Sequence, residues 1–382
     1  GRQRILKNYF SNKETSIYDK HKTFLKVKKN TLETLKKKVD NNISEFDLDK
    51  GLVDLSRTFV SLSSNLMEQD AVLTVIFPDS WMTSEQAYIF RKKILTFFSI
   101  NHIKCIKENK NLFETVNQPL CILSFSKKNS KKNFEINYED QFNDYNSFKL
   151  NFNKIKKLDK TLIKIPKVSL KNYKLVEFLL TQKKLRTFDA ITNLRGELDL
   201  SFGKSKLDFK KGKSLIRGDA VYRGQLRRDL SKKEGFIKIN ETSNLISERK
   251  KNFIKSKRIV VRQSSYANQK FRVIACIAPK NVIVSNSCNF LTVNREDNLY
   301  GLLAILLSTI TDIFFRCFNS NNHISNYEID HMPIGEYNSD DFIQLSNLAK
   351  KVLKDENFCQ KKIDHLVIDY MKVNQKILNN QT

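Results

Sequence analysis

Residues 71–95, AVLTVIFPDSWMTSEQAYIFRKKIL, decide how this chain is read. Ala71–Phe77 is a continuous apolar run of strand length, consistent with a strand buried on both faces, and Pro78 ends it. Ser84 stands where it can cap a helix in which Ala87, Phe90, Ile94, Leu95 and Phe98 face inward. Upstream, Leu52, Leu55, Phe59, Leu62 and Leu66 recur at three- and four-residue steps, the pattern of an amphipathic helix. Downstream, Ile103–Lys107 and Pro119–Phe125 are two short strands separated by ENKNLFETVN, close enough to form an antiparallel hairpin. Helix, strand, helix, strand, loop, strand predicts an α/β layer, the back half of an open sheet. A cofactor-binding layer of that kind normally begins with a strand and a glycine-rich turn. No GxG occurs in the first 100 residues.

Outward from that core the pattern is less regular. Residues 1–50 are polar and predict loops with one helix, Leu32–Val39. The Lys/Asn/Asp-rich stretch 127–165 reads as an edge hairpin passing into a linker, with a domain boundary near 150–165. A helix over Asn172–Gln182 leads into mainly strands and turns from Phe188 to Val293. Ile259–Val261, Phe271–Ala278 and Val282–Val284 are the clearest strands, and Pro279–Asn281 is a turn. Asn298–Phe318 predicts one strong helix with Leu302, Leu303, Leu306, Ile310 and Ile313 inward, and the pattern is helical again from Ser339 to Leu378. The expected domains are 1–150, 151–338 and 339–382, the last a helical segment packed on the second.

Charge identifies the partner class. The chain carries a net +27, and Lys204–Lys280 holds 22 Lys/Arg against 6 Asp/Glu, a net of +16. The basic residues alternate with Leu, Ile, Val, Tyr and Phe, as in LIRGDAVYRGQLRRDL and KRIVVRQSSYANQKFRVIACIA. A solvated disordered arm lacks such partners, so the charges are expected on folded strands and turns, as a surface that grips a polyanion is built. A merely soluble basic surface is the alternative. Nucleic acid is the leading partner, since cations gain affinity by releasing counterions from phosphates. A membrane-surface role needs a continuous basic amphipathic helix, and Gly203, Gly212, Gly218 and Gly224 interrupt this block. No run approaches the ~18 apolar residues of a membrane span, and GRQRILKNYF lacks a signal-type apolar core. The expected compartment is the cytoplasm. The six scattered cysteines contain no CxxC pair and read as small core residues. The five histidines have no metal-ligand spacing, so neither a metal site nor a disulfide framework is suggested.

No catalytic constellation emerges. The carboxylates of EFDLDKGLVD read as charges around a helix start, and Ser264 and Ser265 have no nearby His in sequence. His331 beside Asp330 reads as structural. DFKKGKS, Asp208–Ser214, lacks the spacing of a phosphate loop, and Asp79 is not followed by the ExK of a nuclease.

AVLTVIFPDSWMTSEQAYIFRKKIL followed by INHIKCIKENKNLFETVNQPLCILSFSKK resembles the second half of the catalytic domain of gamma-class, TaqI-like adenine-N6 DNA methyltransferases. Asp54–Met67, Pro78, Arg91, Phe113, Val116 and Cys121–Phe125 match in order. LIRGDAVYRG, KRIVVRQSSYANQKFRVIACIAPKNVIVSNSCNFLTV, NLYGLLAILLSTITDIFFR with HMPIG, and KKIDHLVIDYM resemble that family's target-recognition domain and C-terminal helix. The resemblance covers about residues 50–375 and implies a partial Rossmann-like sheet followed by an α+β target-recognition domain with C-terminal helices. It implies S-adenosylmethionine-dependent methylation within a restriction–modification system. The family's glycine loop and Asn-Pro-Pro-aromatic motif are not in this sequence. The cofactor is therefore expected to be bound by a missing N-terminal region or a partner subunit, and the isolated chain is expected to be inactive. Phe113 falls where the family stacks the flipped base. Arg217, Arg223, Arg227, Arg228, Arg262, Gln263, Tyr266, Asn268, Lys270 and Arg272 are the candidates for contacting the double-stranded DNA that the resemblance implies. The alternatives are a restriction endonuclease or specificity subunit that keeps the sheet only as scaffold, and a non-catalytic RNA-binding protein.

Overall fold

The computed structural model describes residues 54–106, 119–127, 133–139, 145–203, 207–208, 212–227, 230, 236–237, 243–266, 269–319, 322–354, 359–374 and 377. The expected helix Leu32–Val39 lies outside them. Helix α1 (Leu55–Leu66) is capped by Asp54, whose carboxylate accepts from Ser56 N and Arg57 N. Strand β1 (Val72–Pro78), helix α2 (Tyr88–Phe97), β2 (Ser99–Ile106) and β3 (Leu120–Ser126) follow in the expected order. β4 (Asn133–Glu139) and β5 (Tyr145–Asn151) form the expected hairpin at one edge. The sheet order is β1-β3-β2-β4-β5. β3 lies between β1 and β2, antiparallel to both, and only the β2–β4 pairing is parallel. These residues therefore build a mixed sheet, not a mainly parallel one. The predicted inward residues of α2 are buried, and Phe90 packs on Phe77 and Trp81 with ring centroids 5.6 and 6.0 Å apart.

Two expectations fail in this layer, and for related reasons. β1 is an edge strand, and Val72, Thr74 and Ile76 on one of its faces are exposed, so it is not buried on both sides. The apolar stripe of α1 also points outward: Phe59, Leu62 and Leu66 are 62%, 46% and 77% exposed. The helix packs inward through its polar side, where Lys93 Nζ donates to Ser61 Oγ (3.1 Å) and Asn65 Oδ1 (2.7 Å), and Arg57 donates to the Gln86 carbonyl. Ser84 precedes a 3-10 turn and forms no side-chain cap bond.

The expected linker is a tightly held junction. Helix α3 (Phe152–Leu158) ends at Asp159, whose carboxylate accepts from Thr161 N and Leu162 N. Ile163 takes a positive φ of 46°, unfavourable for a β-branched residue. The fully buried Arg91 guanidinium holds that conformation by donating to the carbonyls of Leu162, Ile163, Trp81 and Ser84. Ile165 N then donates to Met82 O and Lys167 N to Cys317 O, so one extended segment is stitched to both halves. Lys167 Nζ pairs with Asp79 at 2.8 Å, both side chains buried.

Beyond the junction lie α4 (Leu170–Thr181), β6 (Ile191–Arg195), β7 (Leu207–Asp208), β8 (Lys213–Ile216), β9 (Phe236–Ile237), α5 (Glu248–Ile254), β10 (Arg258–Arg262), β11 (Ala275–Ala278), β12 (Ile283–Val284) and β13 (Cys288–Val293). They form two four-stranded sheets, β11-β10-β13-β6 and β12-β8-β9-β7. α5 interrupts a region read as strands and turns, and residues 271–274 are not strand. A fully buried pair, Arg258 Nη2 to Glu197 at 2.9 Å, fastens the sheets together, with Glu197 Oε2 accepting from Val284 N on β12. Gly196 lies where a Cβ would fall 2.0 Å from Ser285 O, so only glycine permits this crossing.

The expected single helix 298–318 is two, α6 (Asn298–Leu307) and α7 (Thr309–Phe318), bent by 60°. Ser308 is extended and caps α7 by accepting from Thr311 N. The carbonyl of Leu307, freed by the break, accepts from Arg223 and from Gln360 Nε2 (2.8 Å). No single helix among the described residues is long and apolar enough to cross a membrane. Short α8 (Asn326–Asp330) precedes α9 (Asp340–Lys354) and α10 (Gln360–Met371), which pack with α6. Five of the six cysteines are buried in the cores.

Removing one partner of the junction pair strands a buried charge. Lys167→Met is expected to cost ~3–5 kcal/mol, measured by urea denaturation, and Asp79→Asn in the same chain to recover part of the loss. Burial works against the Lys167 ammonium, but Asp79 outweighs it and holds the group above the ordinary lysine range. Its contribution is thus complete below the unfolded lysine pKa and is lost only as pH rises through the higher folded value. None of it is lost at neutral pH.

Candidate nucleic-acid interface

The basic block folds so that some cations are spent inside the protein and others are displayed. β10 delivers Arg262 as its last residue, and the loop that follows is fixed from both sides. Gln263 N donates to Ser287 O and Gln263 O accepts from Ile324 N, while Ser265 N donates to Asn322 O. An isolated bridge joins Ser264 to His323. On the neighbouring segment Gly218 N donates to Ser287 Oγ at 2.9 Å. A Cβ on Gly218 would fall 3.2 Å from Ser287 O and 3.5 Å from Arg262 Cγ. The stretches bearing Arg217 and Arg262 therefore meet around Ser287.

The loop is held from behind by Asp312 of α7. Its buried carboxylate accepts from Arg272 N (2.6 Å) and Val273 N (3.2 Å) and pairs with Arg316 Nε (2.7 Å). Arg316 also donates to Gln269 O at 2.6 Å. What remains outward is a rim: Arg217, Tyr266 and Lys270 are exposed, and Arg227, Arg262 and Gln263 half-buried. The rim offers guanidinium forks, an amide and a phenol, the donors and acceptors that read base edges or hold phosphates.

Two of the expected DNA contacts need correction. Arg272 is 2% exposed, donates from Nε to Ser265 Oγ at 3.0 Å, and lies over Phe315 at 5.3 Å. Arg223 turns inward from the tight turn 222–225, where Gly224 has φ 76°. It stacks on Phe271 at 3.7 Å and donates to Val273 O, Leu307 O and Gln360 Oε1. Burial pulls its pKa down to about 10, against the pull of Asp312 and Asp364. Arg272 leaves no guanidinium face for a groove, and the half-buried Arg223 spends its guanidinium on contacts within the protein. Phe113, Arg228 and Asn268 lie outside the described residues. Sequence reading also missed Tyr222, 53% exposed on the same turn as Arg223, and the exposed His323. His323 joins the rim only through its bridge to Ser264, 59 positions away, which no local pattern signals.

Among the described residues no group of three or more His, Cys, Asp or Glu side chains is placed to hold a metal ion.

Residues 213–334 match the TaqI-like C-terminal specificity domain, a span that contains the whole described rim. No curated protein matches the chain at a significant level. Among solved structures, the type IIL restriction–modification enzyme MmeI in complex with DNA shares the fold, with a TM-score of 0.51 at 12% identity over 86% of this chain and 51% of that one. The type IIG restriction endonuclease BpuSI aligns over 91% of this chain and 52% of its own, at 11% identity and a TM-score of 0.36. The chain spans about half the length of these enzymes.

The division between inner and outer arginines is measurable without a ligand. Arg272→Ala is expected to lower unfolding free energy by ~2–4 kcal/mol, and Arg262→Ala by less than ~0.5 kcal/mol. Equal losses in urea titrations would remove the distinction.

Proposed function

We propose that the chain recognises a DNA sequence and positions the target adenine for an S-adenosylmethionine-dependent adenine-N6 methyltransferase of a restriction–modification system. The observation that carries this reading is the match of residues 213–334 to a specificity domain, over the stretch where Arg217, Arg262, Gln263, Tyr266 and Lys270 form one displayed rim. Arg262 and Gln263 sit on backbone fixed at both ends, which suits base reading, because a rigid support sets the reach of each fork. Lys270 at the loop's outer end suits a phosphate. Phe113, which falls between β2 and β3 in the sequence, is the residue proposed to stack on the flipped base.

The cofactor is proposed to come from a polypeptide that carries the glycine loop and the Asn-Pro-Pro-aromatic motif. Support comes from the unfinished side of the sheet layer. Among the described residues β1 is an edge strand with Val72 and Ile76 exposed, and α1 turns Phe59, Leu62 and Leu66 outward. A monomeric surface seldom leaves an edge strand and an apolar helix face bare together. A restriction endonuclease or specificity subunit using the layer only as scaffold would share the rim and differ in chemistry. The test is methyl transfer: it is expected only when the complementing polypeptide is added, and Mg²⁺-dependent cleavage by the purified chain would favour the endonuclease. Tight S-adenosylmethionine binding by this chain alone would contradict the division of labour.

DNA binding separates the rim residues by role. Lys270→Ala is expected to weaken all sequences alike and to reduce the slope of log K against log salt by about 0.9. Arg262→Ala is expected to cost about 1–3 kcal/mol on the cognate site only. Fluorescence anisotropy across a salt series distinguishes these outcomes from a rim that touches no DNA, for which neither parameter moves.

A further inference from the structure

Between the sheet layer and the recognition part lies a half-open cavity of about 190 Å³. Its floor is apolar, made by Phe314, Phe315 and Phe318 of α7 with Leu180 and Met332. Three bases line it at graded depth: Lys164 is buried, Lys184 half-buried and Arg186 exposed. Asp159, Glu85 and Glu328 line it too, but among the described residues none pairs with these cations within ion-pair distance. Asp159 is occupied by backbone amides and Glu328 by the Ser325 cap. Burial pulls Lys164 and Lys184 below the ordinary lysine range despite the nearby carboxylates. The carboxylates act on these lysines from beyond ion-pair distance, which leaves room for a bound anion among the cations.

The cations converge on one further group. His331 lines the same cavity, its ring packed against that of Tyr327 with centroids 4.0 Å apart and a 36° tilt, and Lys164 Nζ lies 4.8 Å from the centre of that Tyr ring. Burial, with Arg186, Lys184 and Lys164 adding repulsion, lowers His331 to about 4 despite the Tyr327 carbonyl. The ring is therefore neutral at physiological pH. Its Nδ1 lies 2.7 Å from Tyr327 O, a carbonyl that can only accept, so the Nδ1–H donates and Nε2 keeps its lone pair. The cavity thus combines an apolar recess, one neutral acceptor and three cations that, among the described residues, have no carboxylate within ion-pair distance.

We propose that this cavity binds a nucleoside monophosphate unit, its base in the recess and its phosphate among Lys164, Lys184 and Arg186. A cavity of ~150 Å³ holds a benzene-sized ring, so this one suits a single ring system with the charged group at the mouth. A base N–H would find the His331 acceptor. The unit can come from a free mononucleotide or from a nucleotide of a DNA strand, and the proposal does not depend on what the rim reads.

The test uses the full chain with AMP, adenosine, inorganic phosphate and a short single-stranded oligonucleotide as probes, by calorimetry and by NMR titration of the His331 ring. AMP is expected to bind about tenfold more tightly than adenosine or phosphate alone. It should also move the His331 titration upward, because a phosphate offsets the repulsion of the three cations. Lys184→Ala with Arg186→Ala, both outside the cores, should reduce AMP binding about tenfold while leaving the salt slope of duplex binding unchanged. If the oligonucleotide shows these responses and AMP does not, the proposal holds with a strand as the source. Absence of binding by both, an unmoved His331 titration, or undiminished binding in the double variant would overturn it. Loss of duplex binding in rim variants alone bears on the DNA reading and not on this cavity.

Discussion

The buried pair of Lys167 and Asp79 is the constraint on which the arrangement of the two halves depends. Asp79 follows β1 directly, and its backbone N–H donates to Pro119 O at the entry to β3. Lys167 stands on the extended junction, and its own N–H donates to Cys317 O at the end of α7. One ion pair therefore touches the sheet, the junction and the helix that backs the recognition loop. Burying two charges is costly, and the cost is met only while their geometry is kept. Apolar packing would tolerate sliding at this junction, whereas a 2.8 Å contact between buried ions does not. Arg91 reinforces the same register through four backbone carbonyls.

From that fixed junction the rim inherits its order. α7 carries Asp312, and Asp312 holds the backbone of Arg272 and Val273 from behind. Arg223 ties the neighbouring turn to the carbonyl exposed at the α6–α7 break and to Gln360 of α10. Inner arginines thus convert a loop rich in polar side chains into a surface with defined reach. A cluster of like charges would otherwise push the loop apart.

This explains which parts were legible in the sequence. α2 and the β2–β3 hairpin were readable because their apolar spacing is local and their burial agrees with it. β10 was readable because RIVVR is β-branched and framed by charges. The fate of each arginine was not readable. Arg272 and Arg262 stand in similar local sequence, and the contacts that hold Arg272 inward include distant residues, Asp312 on its backbone and Phe315 under its guanidinium. The break at Ser308 was hidden for the same reason, since its freed carbonyl is satisfied by Arg223 and Gln360 from distant segments. Strands of two residues such as β7, β9 and β12 carry no period at all.

The failed expectations in the sheet layer carry information of their own. The spacing of Phe59, Leu62 and Leu66 is that of a buried stripe, and Ala71–Phe77 is composed like a strand covered on both faces. The structure satisfies neither, while the recognition part closes its cores around Leu215, Ile237 and Ile283 and around Val260, Cys276 and Phe290. A sequence whose apolar faces the described residues leave uncovered is locally consistent with a larger layer than the one described. The physical asymmetry is between a recognition half whose cores are filled and a sheet half whose outer face is composed as an interior. In such an arrangement, covering that face removes from water an edge and a stripe already shaped to be buried, and it does so at the opposite side of the sheet order from the β4–β5 edge. Whatever covers β1 and α1 therefore meets a scaffold already held in register with the rim through Asp79 and Lys167, and can be positioned against DNA without reordering either.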